Sequence, residues 1–378
     1  MRLFVYGTLR DAELRDAVAG PGGSVSPAML RGYAVKPLAD SVVPLIVPQR
    51  DAVAPGLVWD GLTTAQADRL ALYEGAYDYS LITVTVTDAD GGDMEAMMWL
   101  PPADARAGDG DWSFDHWQTH YAETSVLAAT ALFQMQPPPS PQDLRWQFPM
   151  IQKRAWTQTR ASGQGGPATL RHRAGVDDVT VTQRKPAVGD FFRLQGFSVT
   201  HRRFDGAMQG PLPREVFVGV EAVLVLPYDP LREKLVLVEQ IRMGALERGD
   251  PNPWILEPVA GMIDAFETPE QAALRETREE AGLDVRLRHV TSCYPSPGNA
   301  TDYFHCYIGL ADIADETPWS GGLAAEHEDL RVHVVTLDHA LDLVATGEVN
   351  VAPAVMLIYW LAINRAALRV EFDGGIAS

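Results

Sequence analysis

The chain has 378 residues, enough for two or three domains, and its 46% apolar and 21% charged content is that of an ordinary globular protein. A formal net charge of −19 argues against a nucleic-acid partner, which needs basic patches to meet the phosphate backbone. Cys293 and Cys306 fit no zinc spacing and suit a reducing compartment, and MRLFVYGTLRD lacks the basic-then-apolar plan of a secretion signal, so the expected location is the cytoplasm, away from any membrane.

Residues 1 to about 125 alternate strand-like and short helical segments. LFVYGTLR is a strand running into a glycine turn. Further on, LYEGAY sets Glu74 among Leu72, Tyr73 and Tyr77, which can strip water from it and raise its pKa. YAETSVLAATALFQM is helical, and PPPSPQ and SGQGGP after it predict a helical, Pro/Gly-rich linker over 126–178. A further domain is expected over 179–378, opening on strands in VTVTQRKP, FFRLQGFSVTHRRF, REVFVGVEAVLVLPYD and KLVLVEQIR. The late run VAPAVMLIYWLAI is too short to span a bilayer and reads as a buried helix.

The most informative stretch is GMIDAFETPEQAALRETREEAGL, residues 261–283. Glu276, Glu279 and Glu280 stand at i, i+3 and i+4, so a helix projects them from one face. Such crowding destabilises an isolated helix unless a cation is bound, and hard cations such as Mg²⁺ prefer carboxylate oxygen. Arg275 can hold a carboxylate or meet phosphate with its planar fork. Thr268, Pro269 and Glu270 read as a helix start, with Gly261 and Gly282 as flanking turns. A solvated acidic helix is the bland alternative.

Spaced G-x5-E-x7-R-E-x-x-E-E-x-G-L, this run resembles the Nudix box, which cleaves a nucleoside diphosphate joined to another group. Thr277 stands where the family usually has an aliphatic residue, a change expected to cost packing rather than metal binding. The flanks LPYDPLREKLVLVEQIRMGA, PWILEPVAGMID, YPSPGNATDYFHCYIG and GGLAAEHEDLRVHVVTLDHAL resemble the ADP-ribose pyrophosphatase branch from Phe191 to Leu368. That resemblance implies an αβα sandwich working as a homodimer with exchanged N-terminal strands, on ADP-ribose and Mg²⁺ (or Mn²⁺). It assigns metal binding to Glu276, Glu279, Glu280, Glu328 and the Ala260 carbonyl, and the catalytic base to Glu326. Arg242, Met262, Arg214, Glu215 and the Ser296–Pro297–Gly298 loop would contact substrate, and Phe191 or Phe192 would stack on adenine. Phe191 and Phe192 can equally be core aromatics, Arg242 can pair with a surface acid, and Glu326 and Glu328 can lie on a solvated loop. Asp302 replaces a longer substrate-binding glutamate and Gly219 an arginine, so another nucleotide sugar is an alternative substrate. A sensor that binds ADP-ribose without cleaving it is the alternative from another class, although such sensors usually lose box carboxylates.

The N-terminal motifs are similar to the gamma-glutamylcyclotransferase-like family, a small β-barrel with helices, giving a two-domain α+β protein. The resemblance implies an anion-binding loop at Tyr6, Gly7, Thr8 and Leu9, followed by Arg10, and Glu74 as acid/base. Tyr77-Asp78-Tyr79-Ser80 lacks the arginine that often follows in the family. Cyclotransferase activity, a related amine chemistry and a binding or dimer-support role all stay open.

Overall fold

The computed structural model describes residues 1–39, 41–163, 165–314, 319–321 and 329–375. The chain divides into two compact units, Met1–Glu215 and Val216–Ser378.

In the first unit, runs rich in β-branched and aromatic residues make β1 (Leu3–Val5), β2 (Ser24–Pro37), β3 (Pro44–Asp60), β4 (Ser80–Asp88) and β5 (Asp93–Leu100). These strands close a barrel in the order β1-β3-β2-β4-β5, which removes exposed sheet edges. Phe4, Leu30, Ile46, Val86 and Met98 pack in one core cluster of the barrel. Strand alternation sends Leu3 and Val5 into a second cluster with the helices. α1 (Ala12–Ala19) is capped by Asp11, whose side chain accepts the Leu14 N–H. α2 (Thr64–Gly75) opens on a capping box between Thr63 and Gln66 and ends on the segment carrying Glu74.

Much of the predicted linker is core. α3 (Phe114–Phe133) and α4 (Pro141–Gly163) bury Leu132, Leu144, Phe148, Ile151 and Ala155 beside Leu14 and Leu70. The proline cluster read as a loop ends in a helix entrance. Ser140 Oγ accepts the Asp143 N–H at 3.1 Å, and Pro141 sits in the first turn, where its missing N–H costs nothing. The next strands, β6 (Val179–Arg184), β7 (Arg193–Arg202) and β8 (Met208–Val218), form a separate three-stranded sheet. Expected as the start of the second domain, they fall with the first unit up to Glu215.

The second unit runs β9 (Glu221–Asp229), β10 (Lys234–Ile241), α5 (Met243–Arg248), β11 (Trp254–Glu257), β12 (Val259–Met262), α6 (Pro269–Ala281), β13 (Arg286–Cys293), β14 (Tyr303–Leu310), β15 (Trp319–Gly321), β16 (Leu330–Thr336), α7 (Leu337–Thr346) and α8 (Ala352–Gly375). Its sheet has the order β13-β14-β9-β10-β16-β15, with β11 paired to β10 and β12 to β9. Central β9 is buried on both faces. Leu224, Leu226 and Tyr228 pack with Leu337, Leu357 and Ile358 of α7 and α8, while Val223 and Val225 occupy the opposite face by alternation. The apolar run judged too short for a bilayer lies in the longer α8, which over Ala352–Phe372 is long and apolar enough to cross one by length and composition alone. Leu357, Ile358 and Leu361 of that helix are fully buried in the core.

Candidate active sites

α6 is fixed at both ends. Thr268 and Gln271 close a capping box, Pro269 occupies the first turn, and Gly282 ends the helix in the left-handed region at φ 62°. Arg275 gathers the acids around it. Its Nη1 donates to Glu276 at 2.7 Å and Glu279 at 3.1 Å. Its Nε and Nη2 donate to Glu267 at 3.0 and 2.9 Å, and Nη2 also donates to the Met262 carbonyl at 3.2 Å. Burial opposes the Arg275 charge, but the hydrogen bonds and charges of Glu267 and Glu276 outweigh it and raise its pKa.

Glu280 is 1% exposed and accepts the Ala260 N–H at 3.1 Å, so β12 and α6 are tied at the box. A β-carbon on Gly261 would collide with the Glu276 carboxylate. This glycine therefore serves close approach of strand and helix rather than the turn expected of it. Thr277, the departure from the family, is fully buried and donates from Oγ1 to the Ala273 carbonyl at 2.6 Å. Its hydroxyl is satisfied inside the helix, so the site keeps its packing.

Among the described residues no three His, Cys, Asp or Glu side chains gather closely enough to form a metal cluster by themselves. Glu276 and Glu279 face Arg275 instead. The donor set nonetheless fits a hard divalent cation, since Glu276, Glu279 and Glu280 share one face of α6 beside the backbone of β12 and carboxylate oxygen is the donor such a cation prefers. Glu326 and Glu328 lie outside the described residues.

Around the box, Arg242 at the end of β10 donates to the largely buried Glu257 at 2.6 Å. Burial pushes the Glu257 pKa up, against the pull of Arg242. The Ser296–Pro297–Gly298 loop is exposed; its Ser296 carbonyl accepts the Asn299 and Ala300 N–H groups at 3.2 and 3.0 Å, and Asn299 in turn accepts from Phe217 N at 2.8 Å. The two departures noted in the sequence meet here: a β-carbon on Gly219 would collide with the Asp302 carboxylate. Burial raises the Asp302 pKa. Phe191, Phe192, Arg214 and Glu215 belong to the first unit. Phe191 and Phe192 form an exposed edge-to-face pair with centroids 4.9 Å apart, which excludes the core reading. Arg214 and Glu215 are exposed on β8.

The first unit carries a cavity enclosing about 650 Å³ of empty space, part of it open to solvent. The expected loop residues Tyr6, Gly7, Thr8 and Leu9 line it, as does Glu74. Thr8–Arg10 is a single 3₁₀ turn entered from Gly7, and the Tyr6 hydroxyl donates to the Trp99 carbonyl at 3.3 Å. Burial pushes the Glu74 pKa up to about 8. Tyr73 and Tyr77 meet edge-to-face with centroids 5.9 Å apart and border the same space. Asp78, in the stretch that lacks the arginine, pairs with Arg145 of α4 at 2.7 Å. Sequence reading missed Tyr79, Trp99, Ser125 and Gln152 as lining residues. The last two lie on α3 and α4, where only the helical period could have pointed to them.

The NUDIX domain family matches residues 220–355, and the family described as gamma-glutamyl cyclotransferase, AIG2-like, matches residues 3–114. The chain is 39% identical over 209 residues to an ADP-ribose pyrophosphatase of Escherichia coli (strain K12), covering 54% of this chain and 98% of that protein. An ADP-ribose pyrophosphatase of Haemophilus influenzae is 36% identical over 195 residues, covering 51% of this chain and 89% of that protein. Similarity to a GDP-mannose pyrophosphatase of Shigella flexneri is weaker, 28% over 190 residues, covering 50% of this chain and 97% of that protein. With the box held between β12 and α6 and a barrel ahead of it, the chain belongs to the Nudix family of ADP-ribose pyrophosphatases, joined to an AIG2-like gamma-glutamyl cyclotransferase domain.

Proposed function

We propose that the second domain hydrolyses the pyrophosphate of ADP-ribose: water adds to phosphorus, the P–O–P bridge breaks, and AMP and ribose 5-phosphate leave. The observation that carries this reading is the placement of Glu276, Glu279 and Glu280 on one helix face, with Arg275 bonded to the first two and the Ala260 N–H to the third. Glu276, Glu279, Glu280, Glu328 and the Ala260 carbonyl would hold magnesium, or manganese, which supplies charge neutralisation at the pyrophosphate. Gly261 leaves Glu276 room against β12, and Arg275 orients the carboxylates. Glu326 would take the proton of the attacking water, because the box carboxylates are committed to the cation. Arg242, Met262, Ser296, Pro297, Gly298 and Asp302 would hold the two ends of the substrate.

A cytoplasmic homodimer joined through the second domain suits this reading. Competition assays with magnesium test the substrate. ADP-ribose turned over faster than GDP-mannose is expected; the reverse order moves the assignment to a different nucleotide sugar, with Asp302 and Gly219 the first residues to exchange.

For the first unit we infer cleavage of a gamma-glutamyl amide. The α-amine bonds to the γ-carbonyl carbon, the amide C–N bond breaks, and the departing amine takes the proton that Glu74 relays. The buried Glu74 beside the Tyr6–Leu9 loop supports it. The test is 5-oxoproline release by the whole chain, since a fragment ending at 125 would cut through α3.

A further inference from the structure

The cavity of the first unit is finished by helices that lie beyond the residues its family matches. The match ends at 114, while Ser125 of α3 and Gln152 of α4 both line the cavity. Both helices are anchored in the unit's core, so these side chains are held in place rather than carried on a loose connection. Gln152 Nε2 donates to the Tyr77 hydroxyl at 3.4 Å, and Tyr77 borders Glu74 in the lining. Ser125 Oγ donates to the Tyr121 carbonyl at 3.1 Å, which leaves its lone pairs as acceptors.

Charge in the lining is one-sided. Glu74 is its acid, and none of the lining residues is basic. The arginine often found after Tyr77 in the family is replaced, and Arg145, the nearby candidate to stand in for it, pairs with Asp78 at 2.7 Å and does not line the cavity. The glutamyl α-carboxylate that all such amides carry can take N–H groups of the Tyr6–Leu9 loop, whereas a second carboxylate would be buried without a cation and a carboxamide or hydroxyl finds neutral donors and acceptors.

We propose that Gln152 and Ser125 are specificity-determining residues of this cavity, selecting gamma-glutamyl amides whose departing portion ends in a neutral polar group over those ending in a carboxylate. The inference rests on the gamma-glutamyl amide reading of the first unit. It goes beyond that reading in placing the choice of amine on α3 and α4.

The experiment compares two probes on the full chain, γ-L-glutamyl-L-alaninamide and γ-L-glutamyl-L-alanine. Calorimetric binding and 5-oxoproline release are both measured. Wild type is expected to prefer the carboxamide by at least about tenfold, the scale on which a site built from hydrogen-bonding groups discriminates. Gln152→Leu and Ser125→Ala each shrink that preference, and Gln152→Lys reverses it by giving the carboxylate a cation. Glu74→Gln abolishes release yet keeps the binding preference. If Gln152→Lys does not fold, as judged by circular dichroism, Gln152→Leu and Ser125→Ala decide. Selective binding without 5-oxoproline overturns the cyclotransferase reading and leaves the selectivity standing. Equal preference in wild type and folded variants overturns the selectivity alone, and failure of wild type to bind either probe overturns both.

Discussion

On α6, Glu276 and Glu279 share the Arg275 guanidinium at 2.7 and 3.1 Å, while Glu74 near the end of α2 has Tyr73, Tyr77 and Tyr79 around it in the lining and no basic residue. The same side chain thus stands in opposite surroundings. Beside Arg275 it has a cation to pair with. Among phenols it keeps its proton to about pH 8 and can give or take one near neutrality. Burial alone does not set these surroundings, since Glu280 of the box is only 1% exposed and still accepts a backbone N–H.

The contrast breaks most visibly at Gly261. Replacing it with Ala drives a methyl into the Glu276 carboxylate. Turnover of ADP-ribose should fall by about 10- to 100-fold, as when groups supporting a metal ligand are disturbed. A steady-state assay checks it; unchanged turnover would mean that Glu276 need not lie against β12.

Arg275→Ala removes the shared cation and leaves Glu267, Glu276 and Glu279 facing one another. A stability loss of about 2–3 kcal/mol is expected in EDTA, as for a partly buried pair that loses one partner. Magnesium should recover part of it if those carboxylates bind the ion. Denaturant unfolding with and without magnesium measures both effects, and an equal loss in the two conditions would separate Arg275 from the cation.

The box was legible because its chemistry is local. Glutamates at i, i+3 and i+4 share a helix face wherever the helix goes, and Thr268-Pro269 with Gly282 marks its ends. The close contact behind Gly261 was not, since it depends on where β12 passes. The barrel and its Tyr6–Leu9 loop were readable from short motifs, but the cavity's other wall was not. Ser125 and Gln152 lie 51 and 78 residues beyond Glu74 in the chain, and only tertiary packing brings them to it. The packing of the segment expected as a helical linker was hidden for a related reason. Proline and serine that punctuate a loop also start a helix, and what separated the readings was the burial of Leu144, Phe148 and Ile151.

Glu74 gives a pH signature. Its folded pKa is about 8, raised above the unfolded value of about 4.3, so the folded state binds the proton more tightly. Its stabilisation is complete below about pH 4 and is lost as pH rises through about 8. Glu74→Gln, which cannot titrate, should flatten the decline of the first unit's melting temperature between those limits. Parallel pH profiles for wild type and variant would argue that the carboxyl is solvated.

The smallest effect is expected at Thr277. Thr277→Val keeps the shape and loses the bond to the Ala273 carbonyl, which should change stability by no more than about 1 kcal/mol and leave turnover intact. A drop in turnover would give the hydroxyl a part in the site beyond packing.

The most direct test of the account is AMP release from ADP-ribose by wild type and Glu280→Gln, each with magnesium and with EDTA. The carboxylate tied to Ala260 is the one whose loss should reach catalysis with least damage to the helix. Metal-dependent AMP in wild type, falling at least about 100-fold in a folded Glu280→Gln variant, is the predicted result. Equal rates in the two proteins, or release that survives EDTA, would contradict it.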